Sequence, residues 1–320
     1  MRVAVALLLV FVWTAFGRSP SLERISVAGS DYVRLAEWGE ASGFSFKWNQ
    51  KQGEVEMAGG SNVLHFTVDS RRAEIGQVTV WLSLPVVNRM GVALVSLEDA
   101  RTTLEPILYP RKGEGPVETI CIDPGHGGKD TGKAVGRNYE KKYTLLLARA
   151  VEDMLKNDGL KVVLTRSGDE TVELGDRAEM AWRHGANLFV SLHYNAADDT
   201  GIRGVEVYCL APAGMNSSNE GGGKSAQPSV EGNAGDERNV LLAYQMQKSI
   251  TRRLPIEDRG MKRARFEVLR EAHVPAVLIE GGFMTNPFDA RNIYDATFRQ
   301  RMARAIVEGI LAYRRAVGGA

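Results

Sequence analysis

Cysteine is nearly missing from this chain. Cys121 and Cys209 are the only two in 320 residues, and neither belongs to a CxxC pair or to a Cys/His spacing that could cage a metal through thiolates. Each lies in an apolar, strand-like run, 119–122 and 207–210, so both are expected as buried free thiols. An excess of either charge is lacking too. The 40 lysines and arginines against 39 acidic residues leave a formal net charge of +1, which removes any global electrostatic drive toward nucleic acid or an anionic membrane. No apolar run reaches the roughly 20 residues that a membrane-crossing helix requires. The longest, Val3 to Phe16, spans about fourteen residues after Met1-Arg2 and ends at the small residues Ala15 and Gly17, the pattern of an export signal. Residues 1–19 are therefore expected to be a signal peptide, and the protein to work in the periplasm or the extracellular cell wall.

With 44% hydrophobic and 25% charged residues the chain has the composition of folded protein, with length for about two domains. Residues 23–108 alternate in short segments, including Phe44 to Trp48, Val63 to Phe66 and Val78 to Trp81, separated by Gly, Asn and charged turns. This predicts a small β-rich α+β domain with short helices over 34–43 and 97–104, the second stopped by Pro106. Residues 109–117 hold two prolines and two glycines among charges and read as a linker. From 118 to 316 longer units follow. Strands are expected over 118–123, 161–165, 187–192, 204–210 and 276–279, and helices over 141–156, 176–184, 239–253 and 296–315. Strands alternating with helices predict an α/β fold, a mostly parallel sheet with helices on both faces. Residues 213–236 are too polar and rich in Gly, Ser and Asn to bury a core, and predict a mobile loop.

Three of those strands end in chemistry. Ile120 to Asp123 runs into Pro124-Gly125-His126-Gly127-Gly128, Leu188 to Leu192 into His193-Tyr194-Asn195, and Ala276 to Ile279 into Glu280-Gly281-Gly282. In open α/β sheets the ligand crevice lies beyond the carboxyl ends of the strands, so these residues converge if the strands are neighbours. A catalytic zinc takes three protein ligands from His and carboxylate donors and keeps one open position. His126 and His193 supply two ligands. Glu140, which opens the helix after a glycine-rich loop, is the best third, and Glu280 is left as a base that can later act as an acid.

Other readings of the same residues stay open. His65, His184 and His273 read as structural, and Arg177 as a helix-surface ion pair. Gly127 to Lys133 fits a GxxxxGK phosphate loop, but Ala134 stands where a hydroxyl is needed to bind magnesium. That pattern is the weaker fit.

The string Ile122-Asp123-Pro124-Gly125-His126-Gly127-Gly128, then Glu140-Lys141, Leu164-Thr165-Arg166, Arg177, Ser191-Leu192-His193-Tyr194-Asn195, Arg259-Gly260 and Pro275 through Asn286 resembles the zinc-dependent N-acetylmuramoyl-L-alanine amidases over about residues 118–315. The resemblance implies Zn2+ on His126, Glu140 and His193, Glu280 as the catalytic glutamate, and peptidoglycan as the partner. It implies a substrate bond between the lactyl group of N-acetylmuramic acid and L-alanine. Residues 23–108 more weakly resemble the N-terminal stalk domain of copper amine oxidases. A non-catalytic peptidoglycan-binding protein and another zinc peptidase or deacetylase are the alternatives; nucleic acid is not an expected partner, and no protein activator is named by the sequence.

Overall fold

The computed structural model describes residues 22–113 and 115–318, so the expected signal segment 1–19 lies outside the described residues. Among the described residues no helix is long and apolar enough to cross a membrane. The elements that place the site are strands β1 (Val78–Trp81), β2 (Thr119–Pro124), β3 (Lys161–Leu164), β4 (Leu188–Asn195), β5 (Val205–Leu210), β6 (Asp258–Ala264) and β7 (Ala276–Phe283). Four helices accompany them: α1 (Glu140–Asn157), α2 (Leu174–Arg183), α3 (Asp236–Arg253) and α4 (Ala296–Val317).

The strand β2 shows why the sheet is buried on both faces. Successive side chains point to opposite sides, and its run Ile120-Cys121-Ile122 is apolar throughout. Ile120 and Ile122 join the large core beneath α1, α3 and α4, while Cys121 joins a smaller one beneath α2 and the turn Glu267–Arg270. Each such fully buried aliphatic side chain contributes about 1.5–3 kcal/mol. Both cysteines are buried and free. On α4 the Asp295 carboxylate accepts from the Phe298 amide at 2.6 Å and caps the first turn.

The expected α/β sheet and small β-rich domain are both present, and they share one eleven-stranded sheet. Its catalytic half runs β3–β2–β4–β7–β5–β6 and continues through β1 into the meander 72–75, 62–67, 54–59 and 45–49. The strands β3, β2, β4 and β7 are parallel; β5 is antiparallel to β7, and β6 is parallel to β5. A second, four-stranded antiparallel sheet (25–27, 30–34, 92–96, 87–89) belongs to the N-terminal part. The helix expected to stop at Pro106 instead continues through a π-turn, Ala100–Leu104, into Glu105–Leu108. Pro106 has no amide to offer the Thr102 carbonyl four residues back, and Arg263 Nη2 donates to that carbonyl in its place.

The junction of the two halves is close. Met261 of β6 pairs with Val80 of β1, the Trp81 Nε1 donates to the Arg259 carbonyl at 2.9 Å, and the Thr79 amide donates to Asp258 Oδ2 at 2.8 Å. Buried Arg263 donates to the Thr103 hydroxyl at 3.0 Å and to the Leu210 carbonyl at 3.0 Å. Gly260 makes the approach feasible. Its φ is +93°, and a Cβ there would stand 2.8–2.9 Å from Thr79 Cγ2, the Thr79 carbonyl oxygen and Trp81 Cδ1.

Residues 213–236 are expected to be mobile; most of 219–231 is exposed, while Ser217, Ser218 and Gly223 meet the rest of the fold at this junction. The hydroxyls of Ser218 and Ser217 accept from the amides of Arg263 and Arg265 at 3.0 and 3.1 Å, filling in beside β6 where β1 turns away. Arg71 Nη2 donates to the Ser218 carbonyl at 3.2 Å, and the Gly223 amide donates to the Ser83 carbonyl at 2.9 Å. The same polar side chains that solvate a free loop can satisfy open backbone groups.

Gly260→Ala is expected to destabilise the protein by about 2 kcal/mol or more, since backbone atoms of β1 must give way. Gly136→Ala, whose surroundings are open, should cost only about 1 kcal/mol of left-handed backbone strain. Thermal melts of the two variants check the difference, and equal shifts would contradict it.

Candidate active site

The turn after β2 carries His126 in the left-handed region, at φ +62°. For a residue with a Cβ that conformation is costly and persists only when neighbours fix it. Two buried arginines do so. Arg166 donates from Nε to the Pro124 carbonyl at 2.9 Å and from Nη2 to the Gly125 carbonyl at 2.9 Å, while Arg177 donates from Nη2 to the His126 carbonyl at 3.0 Å. Asp123, fully buried, accepts from Arg177 Nη1 at 2.7 Å, from Thr165 at 2.5 Å and from Ser191 at 2.7 Å. Arg177 is thus buried at the base of the site and not in a helix-surface ion pair. The correction follows from α2 packing on the same face as the β2 turn, which periodicity alone does not show.

The four site residues anticipated from the sequence come together. His126 Nε2 lies 3.0 Å from Glu140 Oε1, and His193 Nδ1 lies 3.2 Å from each of them. The two imidazole rings meet at 77°. His193 projects from β4 and is the direct register partner of Glu280 on β7, so the two share a sheet face. Gly125 is needed for this closeness, because a Cβ there would fall 2.3 Å from the His193 ring. Gly132 is needed likewise, standing against both His126 and Glu140.

Three donors of these types at this spacing suit a small divalent ion. Tetrahedral zinc with bonds of about 2.0–2.2 Å holds its donors roughly 3.3–3.5 Å apart, close to the observed triangle. Glu140 also accepts from the amides of Tyr194 (3.0 Å) and Lys133 (2.9 Å), which orients its carboxylate. Asp130 Oδ2 lies 2.7 Å from His126 Nδ1, the outer carboxylate that fixes the tautomer of a ligating imidazole. Asp130 was not singled out in the sequence, although its position four residues after His126 in a tight turn carries the signal.

Burial alone would raise the Glu140 carboxyl, but His126 and His193 outweigh it and hold it well below the usual carboxylate range. Glu280 goes the other way. Burial first, then the charges of Glu140 and Glu206, push it well above that range. Its Oε2 is buried with no hydrogen-bond partner, although the residue as a whole keeps some contact with solvent.

Beyond Glu280 lies a charged group that sequence reasoning missed. Glu206 is the antiparallel register partner of Glu280, and its Oε1 accepts from Arg259 Nε at 2.6 Å and Lys262 Nζ at 2.7 Å. Its Oε2 accepts from the Tyr208 hydroxyl at 2.6 Å and from Asn195 at 3.3 Å. The histidines read as structural stand elsewhere: His273 rests against Trp182 with ring centroids 5.3 Å apart. The phosphate-loop pattern also fails in space, since Lys133 is followed by the hairpin 134–139 and no helix begins until Glu140.

Donors fit for a metal at the strand ends of an α/β sheet, with a spare carboxylate beside them, define a hydrolytic enzyme. Residues 120–312 match the N-acetylmuramoyl-L-alanine amidase family, and residues 19–105 match the copper amine oxidase N-terminal domain. The chain belongs to the N-acetylmuramoyl-L-alanine amidase family. It is 34% identical over 272 residues to N-acetylmuramoyl-L-alanine amidase AmiA of Escherichia coli, an alignment covering 77% of this chain and 92% of that one. It is 36% identical to N-acetylmuramoyl-L-alanine amidase CwlM of Bacillus licheniformis, over 60% of this chain and 66% of the relative. Among solved structures it is similar to amidase AmiC2 of Nostoc punctiforme, with a TM-score of 0.52 and 34% identity over 63% of this chain and 99% of that one. An amidase of Clostridium difficile matches at a TM-score of 0.53 and 32% identity, over 62% and 97%.

Arg177→Met leaves Asp123 buried without its cation and is expected to cost about 3–5 kcal/mol. It should also weaken zinc binding by about 10–100-fold by releasing the His126 turn. Pairing it with Asp123→Asn should recover part of the stability. Denaturant titrations and zinc competition against a chromophoric chelator measure both, and unaltered zinc affinity in a folded Arg177→Met protein would contradict the role given to this arginine.

Proposed function

We propose that this enzyme uses zinc to hydrolyse the amide between the lactyl group of N-acetylmuramic acid and L-alanine in peptidoglycan, with His126, Glu140 and His193 as metal ligands and Glu280 as the catalytic base. The observation that carries the reading is the donor triangle beside a buried carboxylate oxygen that has no partner. Zinc held there supplies Lewis-acid polarisation of a carbonyl and acidifies water. Glu280 Oε2 receives the proton of the attacking water and delivers it to the nitrogen of the departing L-alanine, so the peptide leaves as a neutral amine. Glu140, whose oxygens face the two histidines and the amides of Tyr194 and Lys133, is placed as a ligand and not as the acceptor of that proton.

Peptidoglycan as substrate is supported by the names of the relatives, which include a probable cell wall amidase of Staphylococcus epidermidis, 31% identical over 207 residues. Export through residues 1–19 belongs to the same proposal and rests on the positive-then-apolar pattern of that segment. A wall-binding protein with a structural metal would have no use for Glu280, because structural zinc takes four protein ligands. That second reading is disfavoured by the same carboxylate.

Full-length protein incubated with sacculi and zinc should release stem peptides with a free N-terminal L-alanine, and a chelator should stop the release. Glu280→Gln should keep zinc and lose about 100-fold or more in turnover, whereas His126→Ala should lose both. Mass spectrometry of the soluble products decides: fragments cut only at peptide or glycosidic bonds would overturn the assignment.

A further inference from the structure

The face of the sheet that carries His193 and Glu280 does not end at the metal donors. Register places Glu206 of β5 beside Glu280, Tyr208 of β5 beside Lys262 of β6, and, through the Met261–Val80 pair, Lys262 in line with Trp81 of β1. Partners across a ladder share a face, so one row runs from His193 across the domain junction to Trp81. Near its middle two cations meet one anion. Lys262 is spent on its surroundings: its Nζ is bonded to Glu206, lies 5.8 and 5.9 Å from the Tyr208 and Trp81 ring centroids, and only 12% of its side chain reaches solvent. Arg259 gives Glu206 its Nε, rests on the Phe283 ring at 5.2 Å, and keeps 27% of its side chain in solvent. The N-terminal domain holds it in place, since the Trp81 indole donates to the Arg259 carbonyl and Gly260 is wedged against β1.

We infer that Arg259 reads a carboxylate of the stem peptide, with Glu206, Lys262 and the N-terminal domain's Trp81 as its positioning residues. The inference rests on the amidase reading above and names a specificity determinant for it. In a muramoyl peptide the lactyl carboxyl is consumed in the scissile amide, so the anions belong to the peptide. A guanidinium is the side chain that grips a carboxylate through two parallel bonds, and prior contact with Phe283 and Glu206 limits what it loses in ordering. The reach agrees. β6 lies two strands from β7, about 10 Å at the usual spacing, and an extended peptide covers that in about three residues. A carboxylate on the second or third residue of the stem therefore falls at Arg259.

Two N-acetylmuramoyl-L-alanyl tripeptides, identical except that their carboxylates are free in one and amidated in the other, test this with the zinc-loaded full chain. The free-acid stem should be cleaved with a kcat/KM at least tenfold higher, the difference residing in KM. Arg259→Gln should reduce that preference to within twofold; Arg259→Lys, which keeps a cation beside Glu206, should retain part of it, and Trp81→Ala should weaken it. Calorimetry of both stems on Glu280→Gln supplies a readout independent of turnover. Equal binding of the two stems by that protein, or an unchanged preference in folded Arg259→Gln, would overturn the inference. Cleavage of neither stem at the muramoyl amide would overturn the activity reading instead, while the binding comparison would still decide for or against Arg259.

Discussion

The geometry of the site depends on one strained turn. His126 can face Glu140 and His193 only with its backbone in the left-handed region, which costs on the order of 1–3 kcal/mol for a residue with a side chain. Arg166 and Arg177 offset this by donating to three successive carbonyls, those of Pro124, Gly125 and His126, and Asp123 supplies the countercharge from within the sheet. Charge-assisted bonds of this kind are roughly twice as strong as neutral ones and have fixed directions. The same grip seats α1: Arg166 also donates to the Lys141 carbonyl and the Thr144 hydroxyl, one turn from Glu140. Two of the proposed metal donors are therefore fixed by one arginine pair, and the third comes from the neighbouring strand.

A second constraint is the direction of β5. Antiparallel to β7, it brings its beginning, and so Glu206, to the end of the sheet where β7 delivers Glu280. Two buried carboxylates then stand side by side. They divide their tasks by partners: against the cost of burial, Lys262, Tyr208 and Arg259 hold Glu206 below the ordinary range, whereas Glu280 has no cation and is driven above it. One is fixed as a charge that organises cations. The other is left without such a partner, as the proposed base requires.

Much of this was legible in the sequence, and for definite reasons. His126, His193 and Glu280 each terminate an apolar run, so strand periodicity alone places them on one rim once the strands are neighbours. Glu140 stood out less, because a carboxylate opening a helix is ordinary in itself; its meaning comes from the family pattern. Arg259 stood in the family pattern without a role, and its meeting with Glu206, Lys262 and Trp81 was not legible. Those residues lie on three strands from two domains, and their meeting depends on β5 entering between β7 and β6 and on β1 pairing beyond them, an order that chain sequence does not specify. The bonds of Ser218 and Ser217 to the amides of Arg263 and Arg265 were hidden for a related cause, since no local pattern reveals those amides as needing partners.

The single shared sheet gives the N-terminal domain a role apart from spacing or attachment. Without β1, β6 would be the last strand of its half of the sheet, its edge covered only where Ser218 and Ser217 bond the amides of Arg263 and Arg265. A bare rim of that kind invites pairing between molecules, and during folding such pairing leads to insoluble assemblies. By continuing the sheet through β1 and ending it at the strand Ser45–Asn49, where Lys47 pairs with Glu56 of the neighbouring strand, the chain moves this rim of the sheet away from the site. The N-terminal domain is, in this sense, a built-in chaperone for the strand beside the active site.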